Sequence, residues 1–281
     1  MRLLRQSAFG CYLLLAAHCL SQGQMVQARH SRVELLSEPV GPMRQVWLGV
    51  HFSLEKDWHI YWVNPGDSGQ PPVLKWQLPA GFSTGEIRWP RPEKLNRASL
   101  ADYGYEGEVV LLVPLDVADS IRGNAETEIG LDAKWLICRD VCIPDHAQLH
   151  LALPVSPEEP RTQRQAEFFV RARERLPKPW PRLWKSSAVS LRDDFVVSID
   201  AGKPIKMAEI FPLEAEQIEN AAPQPLETTR RGAKITLKKS DQLLKPIHVL
   251  KVLLVLNDGD SYEIQAPVTP KPAQPLVKEG R

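Results

Sequence analysis

The stretch "AKWLICRDVCIP" (residues 133–144) lies between two apolar runs of strand length and contains Cys138 and Cys142. The run that leads into it is "AETEIGLDAKWLI", and the run that follows it is "AQLHLALPV". Apolar runs of this length, bounded by polar turn residues, are typical of β-strands. The stretch therefore predicts β-structure, with the two cysteines in the segment between two strands.

The same pattern recurs upstream of this stretch. The other predicted strands are "RVELLSE", "RQVWLGVHFSL", "WHIYWV", "VLKWQL", "STGEIRW" and "EVVLLVPLDV". Between them, "NPGDSGQPP" (residues 64–72) is a cluster of turn residues that predicts a loop. Roughly eight short strands over residues 31–155 predict an immunoglobulin-like antiparallel β-sandwich.

A helical pattern interrupts the strands between residues 156 and 184. Its core, "QRQAEFFVRARERL", is rich in helix formers and places Phe168, Phe169 and Ala172 on one side. Proline-rich flanks stop the pattern at both ends. We therefore expect a short helix within a linker.

Strand-like runs return over residues 185–270, and residues 271–281 are expected to be a flexible tail. The 25 prolines among 281 residues also disfavour long helices. The predicted fold class is all-β, with two immunoglobulin-like antiparallel β-sandwiches joined by a short helical linker.

Residues 1–23 have the pattern of an export signal. Arg2 and Arg5 precede the apolar run "FGCYLLLAAHCL", which is too short to span a bilayer but suits a signal peptide. Lipid attachment at Cys19 is the alternative, although His18 is a poor residue before a lipidated cysteine. We therefore expect an exported protein, in a compartment where disulfides persist.

The charge balance and the apolar runs exclude other classes of partner. The chain has 35 basic and 34 acidic residues, which indicates no nucleic-acid partner. After the first 23 residues, no apolar run approaches the ~18 residues that a membrane helix needs. The mature chain is expected to lack a transmembrane segment.

Cys138 and Cys142 allow three interpretations. A structural disulfide that closes a ring of five residues contributes only about 2 kcal/mol, against more than about 4 kcal/mol for a long loop. A closed metal site needs four ligands, and only His146 lies close in sequence. A redox pair needs a thiolate, which Lys134 and Arg139 favour while neighbouring aspartates oppose it. The spacing favours redox chemistry and leaves the other two open.

Four motifs around the pair carry a resemblance to a known family. They are "NPGDSGQPPVLKW", "LPAGFSTGEIRWPRPEKL", "DYGYEGEVVLLVPL" and "AKWLICRDVCIPDHAQLHLAL", in this order. Together they resemble the periplasmic N-terminal (alpha) domain of the thiol:disulfide interchange protein DsbD, and more closely its ScsB-type relatives. The likeness covers residues 33–155. The later stretch "AEIFPLEAEQIENAAPQPLE" resembles the second sandwich of the ScsB-type region.

The resemblance implies an immunoglobulin-like domain in which Cys138 and Cys142 shuttle electrons. It implies a membrane-embedded thiol reductase acting in trans as the electron source and periplasmic thioredoxin-like proteins as acceptors. Neither a cofactor nor a metal is implied. The rival classes are a non-enzymatic immunoglobulin-like binding module with a structural disulfide, and a copper-binding protein.

The resemblance also implies a cap segment with an aromatic residue that shields the disulfide. The matching segment is "LADYGY" (residues 100–105), which makes Tyr103 the best candidate, with Asp102 and Tyr105 beside it. Tyr61 falls where the family places aromatic residues next to the cysteines.

Overall fold

The computed structural model describes residues 24–38, 45–97, 99–121, 126–154, 163–256 and 259–270. The predicted signal peptide and tail lie outside these ranges, as does the first part of the predicted linker. Within them the structure is almost entirely β, with one α-helix, which confirms the predicted fold class.

The first eleven strands precede the helix. They are β1 (Met25–Ala28), β2 (Ser31–Ser37), β3 (Gln45–Leu54), β4 (His59–Gly66), β5 (Val73–Gln77), β6 (Phe82–Thr84), β7 (Glu93–Arg97), β8 (Leu100–Glu106), β9 (Glu108–Val117), β10 (Glu126–Cys138) and β11 (Cys142–Pro154). The helix is α1 (Gln163–Glu174). The later strands are β12 (Lys185–Ser190), β13 (Asp194–Asp200), β14 (Ala208–Pro212), β15 (Leu226–Thr228), β16 (Gly232–Lys238), β17 (Val249–Leu256) and β18 (Ser261–Pro270).

The first eleven strands form two sheets of one sandwich. One sheet has the order β1-β2-β3-β9-β6, and the other has the order β11-β10-β4-β8-β7, with β5 beside β10. Alternate residues of β2 and β3 point inward, so that Val33, Leu35, Leu48, Val50 and Phe52 are fully buried. This alternation is the reason that the apolar runs of the sequence become strands of a sandwich.

Strand β8 is the largest departure from the sequence prediction. The segment "LADYGY" was expected to be a cap loop, but it is a buried strand between β4 and β7. The backbones of β4 and β8 approach so closely at Gly104 that a Cβ there would lie 2.2 Å from the Ile60 carbonyl oxygen. Glycine and aspartate read as turn signals in the sequence, but here the glycine permits a close backbone approach within a sheet.

Two smaller predictions also fail at the level of single elements. The stretch "STGEIRW" was expected to be a strand, but only its first two residues belong to a strand, β6, and Arg88 forms an isolated bridge with Leu112. The first three residues of "NPGDSGQPP" are not in a loop, because β4 extends through Gly66.

Helix α1, which was expected within a linker, packs against the outer face of the β3–β9 sheet. Phe169 is buried in a cluster with Leu112 and Ala172, and a guanidinium nitrogen of Arg173 lies 2.6 Å from a carboxylate oxygen of Glu38. The side predicted to be apolar is the side that packs. No helix among the described residues is long and apolar enough to cross a membrane.

The later strands form the second sandwich, in the order β14-β17-β18-β12-β13-β16-β15. Strand β18 pairs with β17 through its first part and with β12 through its last residues. It therefore links the two layers. The β12–β18 pairing is parallel, whereas the other described ladders are antiparallel as predicted.

The two sandwiches share part of their hydrophobic core. Phe211 of β14 and Leu253 of β17 are buried in the same cluster as Trp62 and Tyr103 of the first sandwich. The Phe211 ring lies edge-on to Tyr103, with 5.1 Å between the ring centroids. The second sandwich therefore packs directly against the β4–β8 region.

Candidate functional site

The two cysteines close the tip of the β10–β11 hairpin. Cys138 is the last residue of β10, Cys142 is the first of β11, and the two are the final partners of the ladder. They form a disulfide with a Cα–Cα distance of 4.2 Å. Three residues form the turn, in which the Arg139 amide donates to the Val141 carbonyl oxygen.

The two sulfur-bearing residues differ in exposure. Cys138 is 2% exposed, because it also pairs with His59 of β4 and so lies within the sheet. Cys142 is exposed, next to Val141, whose side chain is 63% exposed. An incoming thiolate can therefore approach Cys142, while Cys138 is covered by the sheet.

Tyr61 is the predicted site residue that contacts the disulfide. Its hydroxyl oxygen lies 3.4 Å from the Cys142 sulfur, and its ring is edge-on to the ring of the buried His59. The other side of the ring is covered by Gly69, where a Cβ would come within 2.1 Å of Tyr61 Cζ. The backbone of the loop after β4 thus lies directly on the Tyr61 ring.

The charged residues around the disulfide are largely paired with each other. The Arg139 guanidinium contacts the Asp140 carboxylate at 2.9 Å and lies over the Trp58 ring. Lys134 lies 3.8 Å from the Asp132 carboxylate. Lys134 and Arg139, the two cations that were expected to favour a thiolate, therefore each have an anionic neighbour. The Tyr61 hydroxyl contacts the Cys142 sulfur itself.

The other three predicted shielding residues are buried in β8. Tyr103 donates its hydroxyl to the side-chain oxygen of Asn220, and Tyr105 donates to the Pro90 carbonyl oxygen. Burial raises the pKa of both phenols well above the usual value, so they stay neutral. Asp102 accepts hydrogen bonds from the amide and the hydroxyl of Ser68. Their shielding role stays a prediction. The hydrogen bonds of Asp102 and Tyr103 connect β8 to the loop after β4 and to the second sandwich.

A shallow apolar groove of about 590 Å³ runs beside the disulfide. It is lined by Pro71, Val73, Leu136 and Pro144, with Lys75, Lys134, Asp145 and His146 at its polar positions. The lining residues Leu136 and Pro144 are paired partners in the β10–β11 ladder, two residues along the strands from Cys138 and Cys142. Among the described residues, no group of three or more His, Cys, Asp or Glu side chains could hold a metal ion.

Sequence reasoning did not identify Asn220 as a residue connected to this site. It lies 153 residues from Asp67, to which it is hydrogen-bonded, and 117 residues from Tyr103. No local pattern reports a contact of that separation. The one available signal was the resemblance of the surrounding stretch, residues 208–227, to a family motif.

Residues 33–154 match the family model described as "Thiol:disulfide interchange protein DsbD, N-terminal". The fold is similar to the crystal structure of the N-terminal periplasmic domain of ScsB from Proteus mirabilis, with a TM-score of 0.67 and 16% identity, over 88% of this chain and 98% of that chain.

Two further structures are distant. They are the yeast GGA1 GAE domain (TM-score 0.30, 12% identity, 47% of this chain and 99% of that one) and the periplasmic chaperone SfaE (TM-score 0.19, 11% identity, 84% and 100%). No curated protein matches the chain significantly.

The matched family model describes a domain of a thiol:disulfide interchange protein, and this chain has a disulfide at the tip of a hairpin within the matched residues. Residues 33–154 of the first sandwich are similar to the DsbD N-terminal domain family, which confirms the resemblance carried by the four sequence motifs.

Proposed function

We propose that this protein is a periplasmic thiol:disulfide exchange protein that relays electrons through Cys138 and Cys142. The observation that carries the proposal is the unequal exposure of the two cysteines at the hairpin tip, within a DsbD N-terminal domain. A staple that serves stability alone does not require one sulfur at the surface, whereas an exchange reaction does.

The exchange proceeds in two displacements. A thiolate of the electron donor attacks the Cys142 sulfur, the Cys138–Cys142 bond breaks, and its electron pair leaves on Cys138 as a thiolate that takes up a proton. The donor's second thiolate then attacks the donor sulfur that is bonded to Cys142, and Cys142 leaves as a thiolate. The donor dithiol is oxidised to a disulfide, and the protein is reduced by two electrons.

The second half of the cycle runs in the opposite sense. The Cys142 thiolate attacks the disulfide of the acceptor, and Cys138 resolves the mixed disulfide by attacking Cys142. The Tyr61 hydroxyl, at 3.4 Å, is placed to donate to the Cys142 thiolate during both halves. A donor to the charged form favours the thiolate.

Export through residues 1–23 and two classes of partner are part of the proposal. A membrane-embedded thiol reductase supplies electrons, and periplasmic thioredoxin-like proteins accept them. The periplasmic origin named for the ScsB domain supports this location, and the apolar groove beside Cys142 supports a protein partner.

Trapping of the mixed disulfide tests this function. Cys138→Ser leaves the exposed thiol without a resolving partner and should accumulate a mixed disulfide with an oxidised, purified thioredoxin-like protein. Cys142→Ser should accumulate little, because the remaining thiol is buried. Non-reducing electrophoresis and mass spectrometry of the linked peptides measure both results.

Two outcomes contradict the proposal. One is that neither variant forms an adduct with thioredoxin-like proteins or with membrane thiol reductases. The other is a reduction potential of the pair far below about −300 mV, which is typical of a structural disulfide and would favour a binding module.

A further inference from the structure

The second sandwich is hydrogen-bonded to the loop that covers Tyr61. The buried side chain of Asn64, at the end of β4, donates from Nδ2 to the Pro212 carbonyl oxygen at 2.8 Å. Its Oδ1 accepts the Gly66 amide at 3.1 Å, so Asn64 also shapes the start of the loop. We call residues 64–69 together with residues 212–220 the joint.

Asn220 occupies the centre of the joint. Its side chain donates from Nδ2 to Asp67 Oδ1 at 2.8 Å and accepts the Tyr103 hydroxyl at 3.1 Å. The other carboxylate oxygen of Asp67 accepts the Ala101 amide at 2.7 Å. Asn220 is only 6% exposed, because it lies between the two sandwiches. One amide of the second sandwich therefore fixes both the loop and β8.

The loop continues from Asp67 to the disulfide. Asp102 holds Ser68 by two hydrogen bonds of 2.9 Å each, and Gly69 lies on the Tyr61 ring. The Tyr61 hydroxyl in turn contacts the Cys142 sulfur. An unbroken series of contacts runs from Asn220 through residues 67–69 and Tyr61 to Cys142.

Buried polar side chains lie at and beside the joint, although an aromatic cluster already packs the two sandwiches together. Asn64, Asp102 and Asn220 are all buried, although Trp62, Tyr103 and Phe211 beside them already pack as an aromatic cluster. Apolar contact alone would hold the two sandwiches together. Buried polar groups with satisfied hydrogen bonds add a single defined geometry.

We infer that Asn220 of the second sandwich is a positioning residue for the redox pair, because it holds the loop that presses the Tyr61 hydroxyl against Cys142. This inference rests on the proposed exchange function and deepens it. In the reduced protein, the positioned hydroxyl stabilises the Cys142 thiolate and thereby sets its reactivity. The second sandwich then contributes to exchange without touching the sulfur atoms.

The test is the pH profile of Cys142 alkylation in the reduced full-length chain, followed by peptide mass spectrometry. Tyr61→Phe should shift the profile to higher pH and lower the thiolate fraction at pH 7 about three- to tenfold, since one hydrogen bond to the thiolate is lost. Asn220→Ala should shift it in the same direction. Asn220→Ala combined with Tyr61→Phe should give the profile of Tyr61→Phe alone, because both act on one contact.

Arg91→Ala is the matched control. Arg91 also donates a hydrogen bond across to the second sandwich, to the Gly259 carbonyl oxygen at 2.7 Å, but it does not contact the loop. Its profile should equal that of the unmodified chain. If Asn220→Ala fails to fold, Asn220→Leu replaces it, since Leu has a similar volume and removes both hydrogen bonds without adding a charge.

Three results overturn the inference. They are an unshifted profile in Tyr61→Phe, an unshifted profile in both Asn220 variants, or a further shift when Asn220→Ala is added to Tyr61→Phe. None of these readouts involves a partner protein. A failure of Cys138→Ser to trap a partner would instead overturn the exchange function and leave the profiles intact.

Discussion

At the scale of single residues, burial separates two chemically identical side chains. Cys138 is enclosed by the β4 and β11 neighbours of β10, while Cys142 lies at the rim of the hairpin. Under the proposed exchange function, this asymmetry makes Cys142 the residue that is attacked and Cys138 the residue that leaves. The Tyr61 hydroxyl contacts the sulfur of Cys142.

Gly104 is the residue on which the close approach of β8 to β4 depends. Gly104→Ala should lower the free energy of unfolding by about 2–3 kcal/mol, because its Cβ would lie 2.2 Å from the backbone oxygen of Ile60. Chemical denaturation measures this loss. Gly130→Ala is the control, since its Cβ would meet only the flexible Gln77 side chain at 3.0 Å and should cost less than about 1 kcal/mol. Equal losses for the two variants would contradict the explanation.

At the scale of elements, α1 and the β3–β9 sheet bury a histidine between them. The His51 ring lies edge-on to Phe168 of α1, at 5.4 Å between centroids. Burial lowers the pKa of His51, although the nearby carboxylates of Glu108 and Glu34 oppose that effect. The helix thus covers a group that resists protonation in the folded state.

This lowered pKa makes stability depend on pH in a defined direction. The unfolded imidazole has the ordinary pKa of about 6.5, so below that pH the unfolded state takes up a proton that the folded state resists. The stabilisation is complete above pH 6.5 and is lost as the pH falls through the folded-state pKa. Denaturation curves between pH 7.5 and 5.5 should show a steeper loss for the unmodified chain than for His51→Gln. An identical slope in the two proteins would rule out this contribution.

At the scale of the whole molecule, the shared aromatic cluster joins the two sandwiches into one structure. Trp62 and Tyr103 from the first sandwich pack against Phe211 from the second, and polar contacts of Asn64 and Asn220 surround them. Strand β4, which pairs with Cys138 through His59, therefore also belongs to the region that packs against the second sandwich.

The two sandwiches should unfold together. A shared core predicts a single thermal transition, and Phe211→Ala should reduce hydrogen-exchange protection in β4 as well as in β17, because the ring packs on both sides. Calorimetry and hydrogen exchange measure these two results. Two separate transitions in the unmodified chain, or protection lost in β17 alone, would show that the sandwiches are independent.

Much of the fold and part of the site could be predicted from the sequence. The apolar runs of β2, β3, β9, β10 and β11 were identified because alternation is local and each strand carries its own pattern. Cys138 and Cys142 were identified because their spacing is local as well. Strand β8 was missed, since Gly104 and Asp102 resemble turn residues until the neighbouring strands are known.

The sequence by itself determined the β class, the cysteine pair and the resemblance of the first sandwich to the DsbD N-terminal domain family. The tertiary structure alone decided which cysteine residue is exposed, which tyrosine contacts its sulfur, and how Asn220 reaches the loop that covers this tyrosine. The physical reason is the range of the interactions. Alternation and spacing act over a few neighbouring residues, whereas burial and hydrogen bonding at the joint depend on strands from distant parts of the chain packing together.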